Sequence, residues 1–185
     1  QPVDAQLTAE AAGKEAVKFI VLAGSDVDLG GRVAAEHAAA AGRPAPESSL
    51  LPFVLFAESR DAAAEMFERE PLGKLFGLFA MGHIWEAHGL QHPLGNDSKG
   101  FVDVIIHDLD ADDLRDVAAT IPFEMVCEVL FVGNVDELAT QFEGYARNGL
   151  EHIVLANITG VGGGMDEIMA RGMELPMLKN VLSEL

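Results

Sequence analysis

Residues 127–160 read CEVLFVGNVDELATQFEGYARNGLEHIVLANITG. An apolar run, Glu128 to Val132, meets Gly133-Asn134. A helical stretch follows from about Asp136 to Asn148 and stops at Gly149. A second apolar run, His152 to Ala156, then ends in polar Asn157 and Thr159. Short apolar runs of strand length, separated by a helix of 10 to 15 residues, are the signature of parallel strands joined by a crossover helix. Asn134 is placed to cap that helix, and Asp136 and Glu137 sit at the positive end of its dipole.

The same rhythm extends upstream. Ala5 to Ala16 predicts a helix that feeds a buried strand, Lys18 to Ala23, broken by Gly24, Ser25 and Asp26. Leu29 to Ala41 resumes helical spacing until Gly42, and Pro44 and Pro46 bar its continuation. Leu51 to Ala57 predicts another strand, with Ser59 or Asp61 capping a helix from Ala62 to Arg69. Between this unit and the first lies a block, residues 72–120, too long for a plain connection. It predicts an apolar helix around Gly73 to Trp85, a loop marked by Gly and Pro, and a helix near Asp112 to Thr120. An insertion of this size either walls a substrate site or only packs. A final helix is expected over Glu174 to Leu185, interrupted early by Pro176.

The expected class is therefore α/β. Three or four parallel strands alone leave open edges, whereas a parallel barrel closes with eight. The chain is accordingly expected to be part of a (β/α)8 barrel, one domain over 1–185 with a helical insertion at 72–120. That it starts at Gln1, running straight into a helical pattern, fits an upstream part that is missing.

Lys and Arg number 12 and Asp and Glu 30, for a net charge of −18 over 185 residues. Such a chain repels phosphate backbones and anionic headgroups, which argues against nucleic-acid and membrane partners. No apolar run approaches the ~18 residues of a membrane span, so a cytoplasmic location is expected. The single Cys127 sits between apolar neighbours and reads as a small buried hydrophobe.

Three blocks carry a family resemblance. The Gly133-Asn134-Val135-Asp136-Glu137 turn, its helix and the last strand resemble the closing unit of luciferase-like oxidoreductases, with the acidic pair kept and the usual Pro absent. Ile84 to Gly95, IWEAHGLQHPLG, is similar to a block in the deazaflavin-dependent, phthiodiolone ketoreductase-like branch of that family. Ala12-Gly13-Lys14 before a strand is a third match, although Val17-Lys18-Phe19 replaces the family's usual residues there. The resemblance implies the C-terminal strands of a (β/α)8 barrel and hydride transfer between reduced coenzyme F420 and a carbonyl or alcohol substrate. FMN-dependent monooxygenation on the same fold is the alternative, and a non-catalytic ligand- or partner-binding domain is a third reading. It also implies that most cofactor-binding and catalytic residues lie upstream of this chain. The partner expected is a small-molecule substrate, with self-association left open.

Within the chain, Trp85, His88 and His92 are the substrate-site candidates, because an imidazole beside an indole wall can orient a carbonyl or hydroxyl. The competing reading gives them capping and packing roles. A metal site is not expected: Gly89 and Pro93 interrupt the helix needed to align His88 with His92, and no Cys assists. Ser25, Glu58, Asn157 and Thr159 follow the expected strands, on the face where barrels build active sites. Gly160 to Gly164 reads as a flexible loop in preference to a phosphate cradle, since no Gly-Lys-Ser/Thr follows.

Overall fold

The sheet is organised around residues 47–56, which a proline cuts in two. A computed structural model describes residues 18–21, 27–105 and 110–184. In chain order its strands are β1 (Lys18–Val21), β2 (Glu47–Leu50), β3 (Phe53–Phe56), β4 (Leu130–Gly133), β5 (His152–Ile153) and β6 (Ala156–Asn157). All pairings are parallel: β1 and β5 flank β2, while β4 and β6 flank β3. Pro52 has no N–H to give to the ladder. The neighbouring strand nevertheless follows the whole segment. Val154 N donates to Leu50 O at 2.8 Å, Ala156 N to Pro52 O at 2.9 Å and Ile158 N to Val54 O at 2.9 Å. Thus β2 with β3, and β5 with β6, are two kinked strands side by side.

The predicted alternation of strand and helix is present, with helices α1 (Val27–Ala40), α2 (Arg60–Arg69), α3 (Gly82–Ala87), α4 (Ala111–Thr120), α5 (Phe123–Val126), α6 (Val135–Arg147), α7 (Thr159–Ala170) and α8 (Glu174–Leu182). The helix expected at Ala5 to Ala16 falls outside the described residues. Alternate strand residues face opposite sides of the sheet. Leu50, Val54, Phe56 and Phe131 pack with Ala34 of α1, Leu138 and Phe142 of α6 and Leu178 of α8. Leu55, Leu130 and Val132 face the other way, onto Ala63, Met66 and Phe67 of α2 and onto Leu78, Trp85, Ile121 and Met125 from the long connection.

Two local expectations are corrected, and one strand was not expected. The apolar stretch from Gly73 is a 3-10 segment, Pro71–Phe79, followed by a separate short helix, α3. Gly73 and Gly77 let this segment pack closely: a Cβ on Gly73 would lie 2.0 Å from the Phe67 ring, and one on Gly77 2.8 Å from Ile121. Glu47–Leu50, polar in sequence, is a strand whose Ser48 is held by Glu151 and by the Gly149 carbonyl. Gly160 to Gly164 is not a loop but opens α7, which kinks at Gly164 (φ 70°, ψ −163°).

Among the described residues the strand formed by β5 and β6 has a neighbour on one side only. Val154 in its middle is 59% exposed. A half-apolar edge of this kind is a pairing surface.

Candidate functional site

The C-terminal ends of the parallel strands gather Glu58, Asn134, Asn157 and Thr159. Asn134 caps α6 in a complete capping box, its Oδ1 accepting from Glu137 N at 3.0 Å while Glu137 Oε2 accepts from Asn134 N at 3.0 Å. Its Nδ2 donates to the Glu58 carbonyl at 3.2 Å, tying the end of β3 to the end of β4. The Glu58 side chain is exposed. Gly133 makes the turn at φ 147°, where a Cβ would meet the Glu137 carboxylate at 2.5 Å.

Thr159 is buried and committed. Its Oγ1 accepts from Phe56 N at 3.0 Å and donates to Asn157 Oδ1 at 2.7 Å, and its N–H donates to the same oxygen at 3.0 Å. Asn157 is exposed, but its carbonyl oxygen is used inside this knot. Of the four strand-end candidates, then, Glu58 and Asn157 present side chains to solvent and Thr159 holds the strand end. Ser25 lies outside the described residues.

Trp85 and His92 stand together, and both are buried. Trp85 Nε1 donates to Gly77 O at 3.0 Å. His92 Nε2 lies 3.0 Å from Leu78 O, which makes it the donor, and Nδ1 accepts from Leu94 N at 3.0 Å. That pattern fixes one neutral tautomer. His88 is half-buried at the C-terminal end of α3, where its N–H bonds back to that helix. His83 is exposed. No three His, Cys, Asp or Glu groups among the described residues are arranged to hold a metal ion. Nor is any described helix long and apolar enough to cross a membrane.

The sequence did not single out a group of four phenylalanines. Phe53 of β3 lies 5.5 Å from Phe76, 5.9 Å from Phe79 and 5.9 Å from Phe101 between ring centroids. Phe76 with Phe79 (5.6 Å), and Phe79 with Phe101 (5.0 Å), meet edge to face. Phe53, Phe76 and Phe79 are half-buried and Phe101 is exposed, so the group offers a ring-lined wall on the face of the sheet that carries Leu55. The signal was the i, i+3 pair Phe76 and Phe79, but nothing in sequence brings them to Phe53. Gly100 does so for Phe101: it packs at φ 61° against the Phe79 carbonyl, where a Cβ would lie 2.1 Å away.

Cys127 is half-buried, and burial pushes its thiol up to about 11, against the opposing pull of Arg60. At neutral pH it is a protonated thiol, not a nucleophile.

Comparison with known proteins joins the two lines of evidence from motif and fold. The proteins the chain is similar to are ketoreductases in sequence and, in fold, F420-dependent oxidoreductases and an FMN-bound monooxygenase. In sequence the chain is similar to phthiodiolone/phenolphthiodiolone dimycocerosates ketoreductases, 32% identical over 104 residues to that of Mycobacterium tuberculosis, covering 56% of this chain and 27% of the relative. The Mycobacterium kansasii protein is 30% identical over 104 residues, covering 56% of this chain and 28% of the relative.

In fold it resembles the coenzyme F420 dependent tetrahydromethanopterin reductase from Methanopyrus kandleri (TM-score 0.60, 15% identity, 94% of this chain and 48% of that one). An F420-dependent secondary alcohol dehydrogenase solved with an F420-acetone adduct matches at TM-score 0.53 and 17% identity, over 94% of this chain and 46% of that one. The oxygenating constituent of 3,6-diketocamphane monooxygenase from Pseudomonas putida, in complex with FMN, matches at 0.51 and 16%, over 94% and 43%. The chain thus spans less than half of these solved relatives, and its match covers about a quarter of the curated ones. No family model matches it.

Proposed function

We propose that these residues form the C-terminal part of a (β/α)8 barrel whose whole protein transfers hydride between reduced coenzyme F420 and a carbonyl or alcohol substrate. The single observation that carries the reading is the 32% identity to ketoreductases over 104 residues, and the fold shared with two F420-dependent enzymes agrees with it. The open edge along β5 and β6 supports the barrel part, because a further parallel strand is what such an edge accepts. In this reading residues 72–120 are a helical insertion within one domain.

The described residues do not make a cofactor site by themselves. A deazaflavin or flavin with an anionic tail calls for cationic groups or free backbone N–H groups at the strand ends. Here the strand ends offer Glu58, amides and a spent helix cap, and the nearby Arg60 guanidinium lies over the Phe123 ring at 5.7 Å. No chemical step is therefore assigned to this chain. The cofactor supplies the hydride chemistry in the whole protein, and this part supplies the strand-end scaffold.

Fluorescence titration with coenzyme F420 tests the reading, using this chain and a chain extended upstream. Binding by the extended chain only, with turnover of a carbonyl substrate, is the expected result. Tight FMN binding with product-coupled oxygen consumption would give the protein to the monooxygenase reading, which its likeness to the FMN-bound neighbour favours. Binding of neither cofactor by either chain would leave a non-catalytic binding domain.

A further inference from the structure

Helices α6 and α8 pack on the same side of the sheet, and a cavity of about 340 Å³ remains between them and the start of β5. Its lining follows from helix and strand periodicity. Phe142 and Ala146 lie one turn apart on α6, Lys179 and Ser183 one turn apart at the end of α8 with Leu182 beside them, and Ile153 and Leu155 share one face of the edge strand. Phe142 is fully buried, and Leu150, Ile153, Leu155 and Leu182 are half-buried, so the interior is apolar. The cavity begins where β5 begins, whereas Glu58, Asn157 and Thr159 stand at the opposite, C-terminal strand ends. It is therefore separate from the strand-end residues described above.

The mouth carries two opposite charges, Lys179 and Glu151, both exposed. Among the described residues the Lys179 ammonium has no hydrogen-bond or ion-pair partner. Glu151 Oε2 accepts from Ser48 N at 3.0 Å. Ser183 Oγ donates to Asn180 O at 2.7 Å and keeps its capacity to accept.

We propose that this cavity binds an uncharged alkyl alcohol. Two observations select that class. The first is size: the volume lies at the small end of ligand pockets, and at ~30 Å³ per water-sized group it has room for a chain of roughly eight to ten carbons. The second is the charge balance of the mouth. A carboxylate head meets Glu151, the C-terminal end of the α8 dipole and a chain of net charge −18. An ammonium head meets Lys179. A hydroxyl suits both groups, because its oxygen accepts from the Lys179 ammonium while its proton goes to the Glu151 carboxylate.

Isothermal titration of the 185-residue chain with octanol, octanoate and octylammonium tests this. Octanol is expected to bind saturably at one site, and each charged analogue at least tenfold more weakly. Ala146→Leu, which fills the cavity from a helical position, is expected to weaken octanol by tenfold or more with an unchanged far-ultraviolet dichroism spectrum. Lys179→Met, at an exposed position, is expected to weaken octanol severalfold and to bring octylammonium level with it or above it, because only the carboxylate then remains at the mouth. A chain extended upstream is expected to bind octanol as the 185-residue chain does. Octanol that fails to saturate, equal affinity for the three heads, or an Ala146→Leu chain that binds like the native one overturns the proposal. So does an extended chain that has lost the site, since upstream residues then fill the cavity. None of these outcomes depends on the cofactor.

Discussion

Trp85 and His92 meet edge to face, their ring centroids 5.1 Å apart, and each gives its ring N–H to a carbonyl of the same 3-10 segment. The two rings therefore lock the block 84–95 onto residues 77 and 78. His92→Phe keeps a ring of similar volume but strands the buried Leu78 carbonyl. A loss of about 1–3 kcal/mol is expected in urea unfolding. Trp85→Ala should cost about 3–5 kcal/mol through the cavity it opens. If His92→Phe unfolds like the native chain while altering substrate KM in the whole protein, the imidazole is a pocket residue and the locking role is wrong.

Gly133 and Asn134 predict a graded pair. Asn134→Ala removes the cap and the tie to Glu58, for about 1 kcal/mol. Gly133→Ala forces a Cβ into a left-handed φ and against the Glu137 carboxylate, adding about 1–3 kcal/mol of backbone strain and breaking the capping box. Thermal unfolding should rank native above Asn134→Ala above Gly133→Ala. A Gly133→Ala chain as stable as the native one would mean the turn is not held as described.

How far the sequence carried these features follows from local against distant causes. The helix capped by Asn134, the helix starting after Ser59 and the strands at 53–56 and 130–133 come from patterns within a few residues. Glu128 to Val132 was legible as an apolar run, but its parallel pairing with Phe53–Phe56 joins residues some 77 positions apart. The strand Glu47–Leu50 was hidden because Ser48 and Ser49 are buried polar residues. Ser48 is satisfied by Glu151 and Gly149, over a hundred residues away. Likewise His92 and Trp85 were legible as a pair of interest, but it is the fold that commits their polar atoms inside the protein.

Cys127 gives a pH prediction with a definite sign. Its pKa rises from 9.0 to about 11 on folding, chiefly by burial. The folded state therefore holds the thiol proton more tightly than the unfolded state. The resulting stabilisation is full below pH 9 and is lost as pH rises toward 11. Cys127→Ala should flatten that part of the stability profile. Iodoacetamide should label the native chain slowly at pH 8, with the rate climbing only near pH 11. Fast labelling at pH 8 would show an accessible thiolate instead.

Thr159 separates a scaffold role from a ligand role at the strand ends. Its hydroxyl accepts from Phe56 N and donates to Asn157 Oδ1, so it joins the last residue of β3 to the start of α7. Thr159→Val keeps the shape and removes both bonds, leaving a buried backbone N–H without a partner at a cost of about 1–3 kcal/mol. Thr159→Ser keeps the hydroxyl and should lose well under half as much. Hydrogen exchange at Phe56 N should quicken in Thr159→Val and stay slow in Thr159→Ser, because that amide is protected only while the hydroxyl holds it. Were both variants equally stable, with Phe56 N equally protected, the hydroxyl would be free for a ligand and the knot with Asn157 would not be what closes this end of the sheet.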